Sequence, residues 1–279
     1  MSAVSYSDIS KNVNGLFGRD FFHASPYAVD VKTVAPNGVE FTAKAKAAKT
    51  AGLDTSIDSK FSDKATGLTV TQSISNAANL NTKVELAGLA PGLKLDLSSA
   101  FTPSTLPQGV KLNLNFVQPA FIAKGLFDVS KNTSFAGDVA FTKNAYTLGT
   151  QVSYDISNGQ LKKYGFGLGY TVSGFSLAGS LEGNSLVASI YQKASPVFDI
   201  GAKATYDVSS KAVSTAFASK YDIDATSAVK GKINDSGLLE LAYKQQLKQN
   251  VTLGVGASLN ALKLDEPVHK FGWSLSFSV

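Results

Sequence analysis

The chain has 279 residues, 44% hydrophobic and only 17% charged, with 24 glycines, 8 prolines and no cysteine. The cysteine count excludes disulfides, zinc–thiolate sites and thiol catalysis. No apolar run reaches the ~18 residues of a transmembrane helix, a test blind to membrane β-strands, half of whose residues are polar; the net charge of +5 suits anionic partners.

The first residues carry no apolar signal-peptide core. Residues 1–22 hold one Arg (Arg19) and two acids (Asp8, Asp20), unlike an Arg-rich, acid-poor mitochondrial presequence. Ser5-Tyr6-Ser7-Asp8 has the form of a capping box. Tyr6, Ile9, Val13, Leu16 and Phe17 follow at helical spacing, with Asp8, Lys11 and Asn12 on the other side and Gly15 and Gly18 weakening the far end. A short amphipathic helix is predicted over residues 6–17, with either a packing or a mobile role.

From Val29 to Phe277 the pattern changes to period 2, the signature of strands with one oily and one wet wall. In Val110–Phe116 the apolar residues Val110, Leu112, Leu114 and Phe116 alternate with Lys111, Asn113 and Asn115. The same alternation runs through Val39–Ala47, Leu53–Phe61, Leu80–Leu86, Leu93–Phe101, Tyr164–Val172, Leu253–Leu259 and Phe271–Phe277. Around Leu186–Lys193 the pattern does not assign faces. Asn37-Gly38, Asn158-Gly159 and the Asp63–Gly67 stretch mark tight turns. The prolines (26, 36, 91, 103, 107, 119, 196 and 267) sit at segment ends, where a missing N–H costs little. A strand and its turn recur about every 13 residues, giving roughly 18–20 strands. No linker or composition break divides them, so one domain is expected: an N-terminal segment over 1–25 and a barrel over 26–279.

A soluble sandwich would turn its oily wall inward, but so many strands would make it unusually large, and its wet wall should be richly charged. Here the wet wall is mostly Ser, Thr, Asn and Gly, and the oily wall is almost free of charge. A Lys or Arg facing lipid costs ~2–4 kcal/mol at mid-bilayer, so this pattern fits a barrel oily outside and wet inside. Tyr154, Tyr170 and Trp273 suit interfacial girdles. Gln72 breaks the oily stripe of Leu68, Val70 and Ile74, and reads as a tolerated or interfacial residue. The alternation assigns Lys32, Lys44, Lys46, Lys60, Lys83, Lys94, Lys111, Lys124, Lys203, Lys220, Lys230, Lys232, Lys244 and Lys270 to the wet wall. The acids there are Asp30, Glu40, Asp54, Asp58, Glu85, Asp96, Asp128, Asp138, Asp207 and Glu240. Bases outnumber acids, so the lumen should favour anions.

Enzyme readings are weak. The two histidines, His23 and His269, make a poor metal site without cysteines. Gly165-Phe166-Gly167-Leu168-Gly169 lies within a strand pattern with no helix after it, and so reads as a Gly-lined strand rather than a phosphate loop. The glycosylation sequons at Asn132, Asn234 and Asn250 mean little without a secretory route. No metal or cofactor is expected, and no nucleic-acid partner.

Tyr221-Asp222-Ile223-Asp224-Ala225-Thr226-Ser227, followed by Gly231-Lys232-Ile233-Asn234-Asp235, Leu241 and Tyr243, resembles the signature of the eukaryotic mitochondrial porins, the voltage-dependent anion channels; Glu240 departs from it, since that position is usually small or Thr. Tyr6-Ser7-Asp8-Ile9 and Pro91-Gly92-Leu93-Lys94 are similar to further motifs of the family. Glu266-Pro267-Val268-His269-Lys270 to Phe277 looks like its fungal members. The resemblance covers essentially the whole chain. It implies an all-β transmembrane barrel of 19 strands, the first and last pairing in parallel, with the short amphipathic helix inside the pore. It also implies a voltage-gated, weakly anion-selective channel of the mitochondrial outer membrane, passing ATP, ADP, phosphate and small ions. Lys94 becomes the candidate nucleotide contact. Asp8, Ile9, Lys11 and Arg19 become helix and gating candidates. Lys270, Gly272, Leu275 and Phe277 are similar to a sorting signal read by the outer-membrane insertion machinery. The lipid bilayer is the expected surround, and homo-oligomerisation stays open. Two other functions within reach of such a barrel are a protein-conducting translocase and a lipid-scrambling or docking platform. Relatives linked to the latter carry a lipid-facing Glu where Gln72 stands.

Overall fold

The computed structural model describes residues 3–47, 52–102, 109–129, 133–266 and 268–278. The expectations that fell on Pro103, Pro107, Asn132 and Pro267 lie outside them. The strands are β1 (Tyr27–Val34), β2 (Glu40–Ala47), β3 (Leu53–Asp63), β4 (Leu68–Ser75), β5 (Leu80–Ala87), β6 (Leu93–Phe101), β7 (Val110–Val117), β8 (Phe121–Asp128), β9 (Ser134–Lys143) and β10 (Tyr146–Asp155). Then follow β11 (Gln160–Val172), β12 (Phe175–Glu182), β13 (Ser185–Ser195), β14 (Phe198–Asp207), β15 (Ala212–Asp222), β16 (Ser227–Asn234), β17 (Leu238–Lys248), β18 (Val251–Asn260) and β19 (Lys270–Ser278).

Each strand pairs antiparallel with its chain neighbours, and β1 pairs in parallel with β19 from Tyr27↔Trp273 to Lys32↔Ser278, closing a 19-stranded barrel. Closure leaves no edge strand. Among the described residues no helix is long and apolar enough to cross a membrane. Some hairpins take their left-handed residue from glycine, as at Gly38 (φ 81°) and Gly159 (φ 64°), and others from Ala78, Asn144 and Lys211, each at φ 57°.

Partners across a ladder share a face, so the register extends one wall around the ring. Lys46, Lys44 and Glu40 share a face with Asp54, Ser56 and Lys60, and Lys94, Asp96 and Ser98 with Asn115, Asn113 and Lys111. The opposite phase carries Ile57, Leu97, Phe141, Leu168 and Phe217, all exposed. The register also assigns the segment that alternation left open. Leu186, Ala188 and Ile190 lie on the oily phase, paired to Leu181, Gly179 and Leu177, while Val187, Ser189 and Tyr191 lie on the wet one. Gln72 pairs with Ser59 and Thr82, and Thr82 with Ser99, so it belongs to a polar row crossing four strands of the oily wall.

The N-terminal helix is shorter and broken. A 3₁₀ turn spans Tyr6–Asp8, Ile9 and Ser10 interrupt it, and α1 spans Lys11–Gly18. The predicted capping box does not form. The Ser5 hydroxyl donates to the Asp8 carboxylate at 2.7 Å instead of capping a backbone N–H, which leaves a single 3₁₀ turn rather than a continuous helix. The apolar stripe survives the break, and Tyr6, Ile9, Val13 and Leu16 are all buried.

Candidate functional site

The N-terminal segment touches the ring at widely separated strands. The Val4 N–H donates to Thr142 Oγ1 of β9 at 3.1 Å, and Lys230 of β16 donates to the Gly15 carbonyl at 3.2 Å. Between and beyond those contacts the segment leans on wet-phase residues around more than half of the ring: Tyr6 and Ile9 on Gly149, Gly165 and Gly167 of β10 and β11, Leu16 on Gly201 of β14, and Phe22 on Gly254 and Gly272 of β18 and β19. A short segment meets one face of so many strands only from within the closed ring, so the wet face lines an enclosed lumen with the segment inside it.

Three features of the wall hold the segment. The first is a bed of glycines. Gly149, Gly165, Gly167 and Gly169 of β10 and β11 face the lumen, and a Cβ at Gly167 would come within 3.1 Å of Ile9 and of Tyr6. A Cβ at Gly169 would come within 2.9 Å of Ile9. Tyr6 and Ile9 can sit here only because the wall has no side chains. Gln151 donates to the Tyr6 hydroxyl at 3.3 Å. The second is a lysine clamp on the C-terminal end of α1. Lys230 donates to the carbonyls of Gly15 and Arg19 at 3.2 and 3.1 Å, and Lys232 to that of Phe17 at 3.2 Å. The Gly15 carbonyl already accepts from the Arg19 N–H at 3.3 Å, so Lys230 adds a second donor there, and cations complement the negative end of the helix dipole. Lys244 adds an ion pair to Asp20 at 3.2 Å. The third is a latch at the closing seam. Phe22 and His23 lie on Gly254, Gly256 and Gly272, and a Cβ at Gly272 would run into the carbonyl oxygens of Phe22 and Ser25. His23 faces Glu240 at 3.4 Å, and Glu240 also pairs with Lys232 at 2.7 Å. The residue that departs from the family signature thus joins clamp to latch.

Lys32, Lys44, Lys46, Lys60, Lys83, Lys94, Lys111, Lys124, Lys203, Lys220, Lys230, Lys232, Lys244 and Lys270 all stand on the lumen phase of the ladders. They fall into different electrostatic states. Lys32, Lys44 and Lys111 pair with Glu40, Asp58 and Asp128 at 3.0, 2.7 and 3.2 Å. Lys83 pairs with Glu85 and with Asp96, and Lys220 with Asp222 at 2.8 Å. Lys230 is buried. Lys124 donates to Ser7 at 3.4 Å. Lys46, Lys60, Lys94, Lys203 and Lys270 stand on the lumen phase and make no ion pair among the described residues, although Lys60 lies across the ladder from Glu40. Of the helix candidates, Ile9 is in the glycine bed, Asp8 and Lys11 form an exposed pair at 3.7 Å, and Arg19 contributes its carbonyl to the clamp. In the C-terminal segment, Leu275 and Phe277 pair with Val29 and Val31 across the seam, on the oily phase.

The Asp222–Ser227 part of the signature forms the turn between β15 and β16. Asp224 accepts from the Thr226 hydroxyl at 2.7 Å and from the N–H groups of Thr226 and Ser227 at 2.6 and 2.8 Å. Those bonds, the Thr226 hydroxyl first, pull its carboxyl down to about 2.

The family model described as "Eukaryotic porin" matches residues 2–272. The chain belongs to the eukaryotic porins. This porin is 46% identical to the mitochondrial outer membrane protein porin of Candida albicans, with 100% of each chain covered. It is 45% identical to "Non-selective voltage-gated ion channel 1" of Saccharomyces cerevisiae, with 99% of each covered. Among solved structures, a mutant Rh. blastica porin aligns at TM-score 0.52 and 10% identity over 74% of this chain and 90% of that one, a likeness of fold alone.

The glycine bed, the clamp and the latch escape a reading by alternation. Period 2 identifies a wall but not what leans on it. The available signal was alternate lumen-phase glycines, Gly165, Gly167 and Gly169 on β11 and Gly254 and Gly256 on β18, on strands that gain nothing from them unless another element approaches closely.

Proposed function

We propose that this porin is a voltage-gated channel of the mitochondrial outer membrane, through which metabolites and small ions diffuse passively with a weak preference for anions. The observation that carries the reading is a polar, lysine-lined lumen inside an apolar outer wall, crossed by a docked N-terminal segment. A ring of 19 strands at ~4.8 Å spacing and ~40° tilt has a backbone diameter on the order of 40 Å. Side chains and the segment narrow it, but the opening stays above the ~8 Å Debye length at physiological salt. Charge on such a wall biases ions without stripping their water. ATP, ADP and phosphate would pass hydrated, favoured by the unpaired lysines, with Lys94 as the candidate nucleotide contact. Gating would follow from charges on the segment and its clamp, since one charge crossing the field gains ~2.3 kcal/mol per 100 mV. Lys11, Arg19 and Asp20, carried on the segment, would move with it.

Single-channel recording of the reconstituted chain, combined with ATP efflux from liposomes, tests the proposal. Large, voltage-dependent, weakly anion-selective steps with ATP permeation are expected. Cation currents blocked by presequence peptides would instead favour a protein-conducting pore.

A further inference from the structure

We infer that the outer wall of β9–β12 carries a binding site for one anionic glycerophospholipid, its phosphate on Lys143 and an acyl chain in the groove beneath. The inference rests on the oily phase meeting lipid, and it goes beyond the channel reading. Lys143 pairs with Tyr146 across the β9–β10 turn, on the phase of Phe141 and Leu148, so its ammonium leaves the barrel on the bilayer side. It makes no ion pair among the described residues and is exposed. Next to it opens an apolar groove of about 980 Å³, whose lining includes Phe141, Leu148, Leu168, Tyr170 and Leu177 as well as Lys143 itself. That volume is at the upper end of small-molecule sites, ~300–1,000 Å³.

Charge selects the occupant. Two other charged residues on the oily phase do not share this setting: Asp63 spends its carboxylate on the Ala65 N–H and the Thr66 hydroxyl at 2.9 and 2.7 Å, and Lys248 does not line the groove. At Lys143 a cation therefore stands at a strand end above apolar surface, without a counter-ion among the described residues. The rings around it form a rim. Tyr146 and Tyr170 have centroids 5.0 Å apart, and Phe121 and Phe141 are 5.7 Å apart. Aromatic rings of this kind mark the headgroup level, where a lipid phosphate is available to an amine, and lysine at that level reaches outward to the interface. A phospholipid satisfies both halves of the site at once.

The test uses the purified full chain in detergent, with phosphatidic acid and phosphatidylcholine added in equal amounts and retained lipid read by native mass spectrometry. Preferential retention of phosphatidic acid is expected. Lys143→Gln and Lys143→Glu should lower it about five-fold, the factor one basic side chain contributes at an anionic surface. Lys248→Glu should leave it unchanged. Leu168→Trp, which fills the groove, should lower it with the lysine intact. A phosphatidic acid with a diazirine in its acyl chain should label Leu148, Leu168 and Leu177. Unchanged retention in the Lys143 variants would overturn the assignment. So would label spread evenly around the barrel, or a photo-crosslinker at Tyr146 that captures a second copy of the chain. Conductance of the same variants distinguishes failure of this site from failure of the channel reading, because neither Lys143 nor Leu168 faces the lumen.

Discussion

Lys230 Nζ stands 3.2 Å from the carbonyl oxygen of Gly15, joining residues 215 apart in sequence and fixing the end of α1 to the wall. A second bond from the same nitrogen reaches the Arg19 carbonyl at 3.1 Å, so one buried ammonium bridges two carbonyls at the helix end. The N-terminal segment is thus tied by charge at one end and by shape at the other, and each tie can be cut separately.

Lys230→Met keeps the stem of the side chain and removes the donor. Hydrogen bonds to charged groups contribute ~1.5–3 kcal/mol each, so the undocked population of the segment should rise by roughly ten-fold or more. Amide exchange over Lys11–Gly18 should speed up accordingly while β13–β15 stay protected. Exchange unchanged from the parent chain would mean that the clamp does not hold the helix.

Gly169→Val inserts a side chain where a Cβ already approaches Ile9 within 2.9 Å. The barrel should fold, but Tyr6 and Ile9 should leave the wall, and the voltage at which conductance falls should shift. Gly179→Val is the control, because a Cβ there meets nothing within 4 Å and points to the outside. Equal effects from the two would remove the glycine bed from the account.

Reversal potentials in a salt gradient report the lysines. Lys94→Glu combined with Lys203→Glu should shift the preference toward cations, because these side chains carry no paired acid among the described residues. The shift should fade at 1 M salt, where the Debye length is ~3 Å. An unchanged reversal potential at low salt would move selectivity to other parts of the lumen.

The Asp224 turn supplies a pH prediction. A carboxyl held at about 2, against an ordinary 3.8, stabilises the fold above that ordinary value and loses its contribution as pH falls through about 2. Asp224→Ala should therefore lower the melting temperature at pH 7, and the gap from the parent chain should narrow between pH 4 and 2. A gap that stayed constant with pH would show that the charge is not what holds the turn.

The barrel was legible because alternation is local. Val110–Phe116 declares its two walls without help from any other strand. The stretch around Leu186 did not, since Val187 and Tyr191 face the lumen while Ala188 faces outward, and only pairing to β12 decides the phase. The broken helix has the same origin. Its apolar stripe was visible, but Ser5 prefers the Asp8 carboxylate to a backbone N–H, and pattern alone does not weigh those two bonds. Lysines 230 and 232 read as lumen charges from alternation, and their lumen phase is what lets them grip a helix that the strand pattern never mentions.

The wall orientation is open to direct measurement, because a chain with no cysteine gives a clean background for single-cysteine scanning. Cysteines placed in turn at Leu95, Asp96, Leu97, Ser98, Leu112, Asn113 and Leu114 would be exposed, in a bilayer, to a membrane-impermeant charged thiol reagent while current is recorded. Modification with a step change in conductance should occur at Asp96, Ser98 and Asn113 and be absent at the four leucine positions. Labelling of the leucine positions instead, or of all seven alike, would contradict a water-filled, polar-walled lumen.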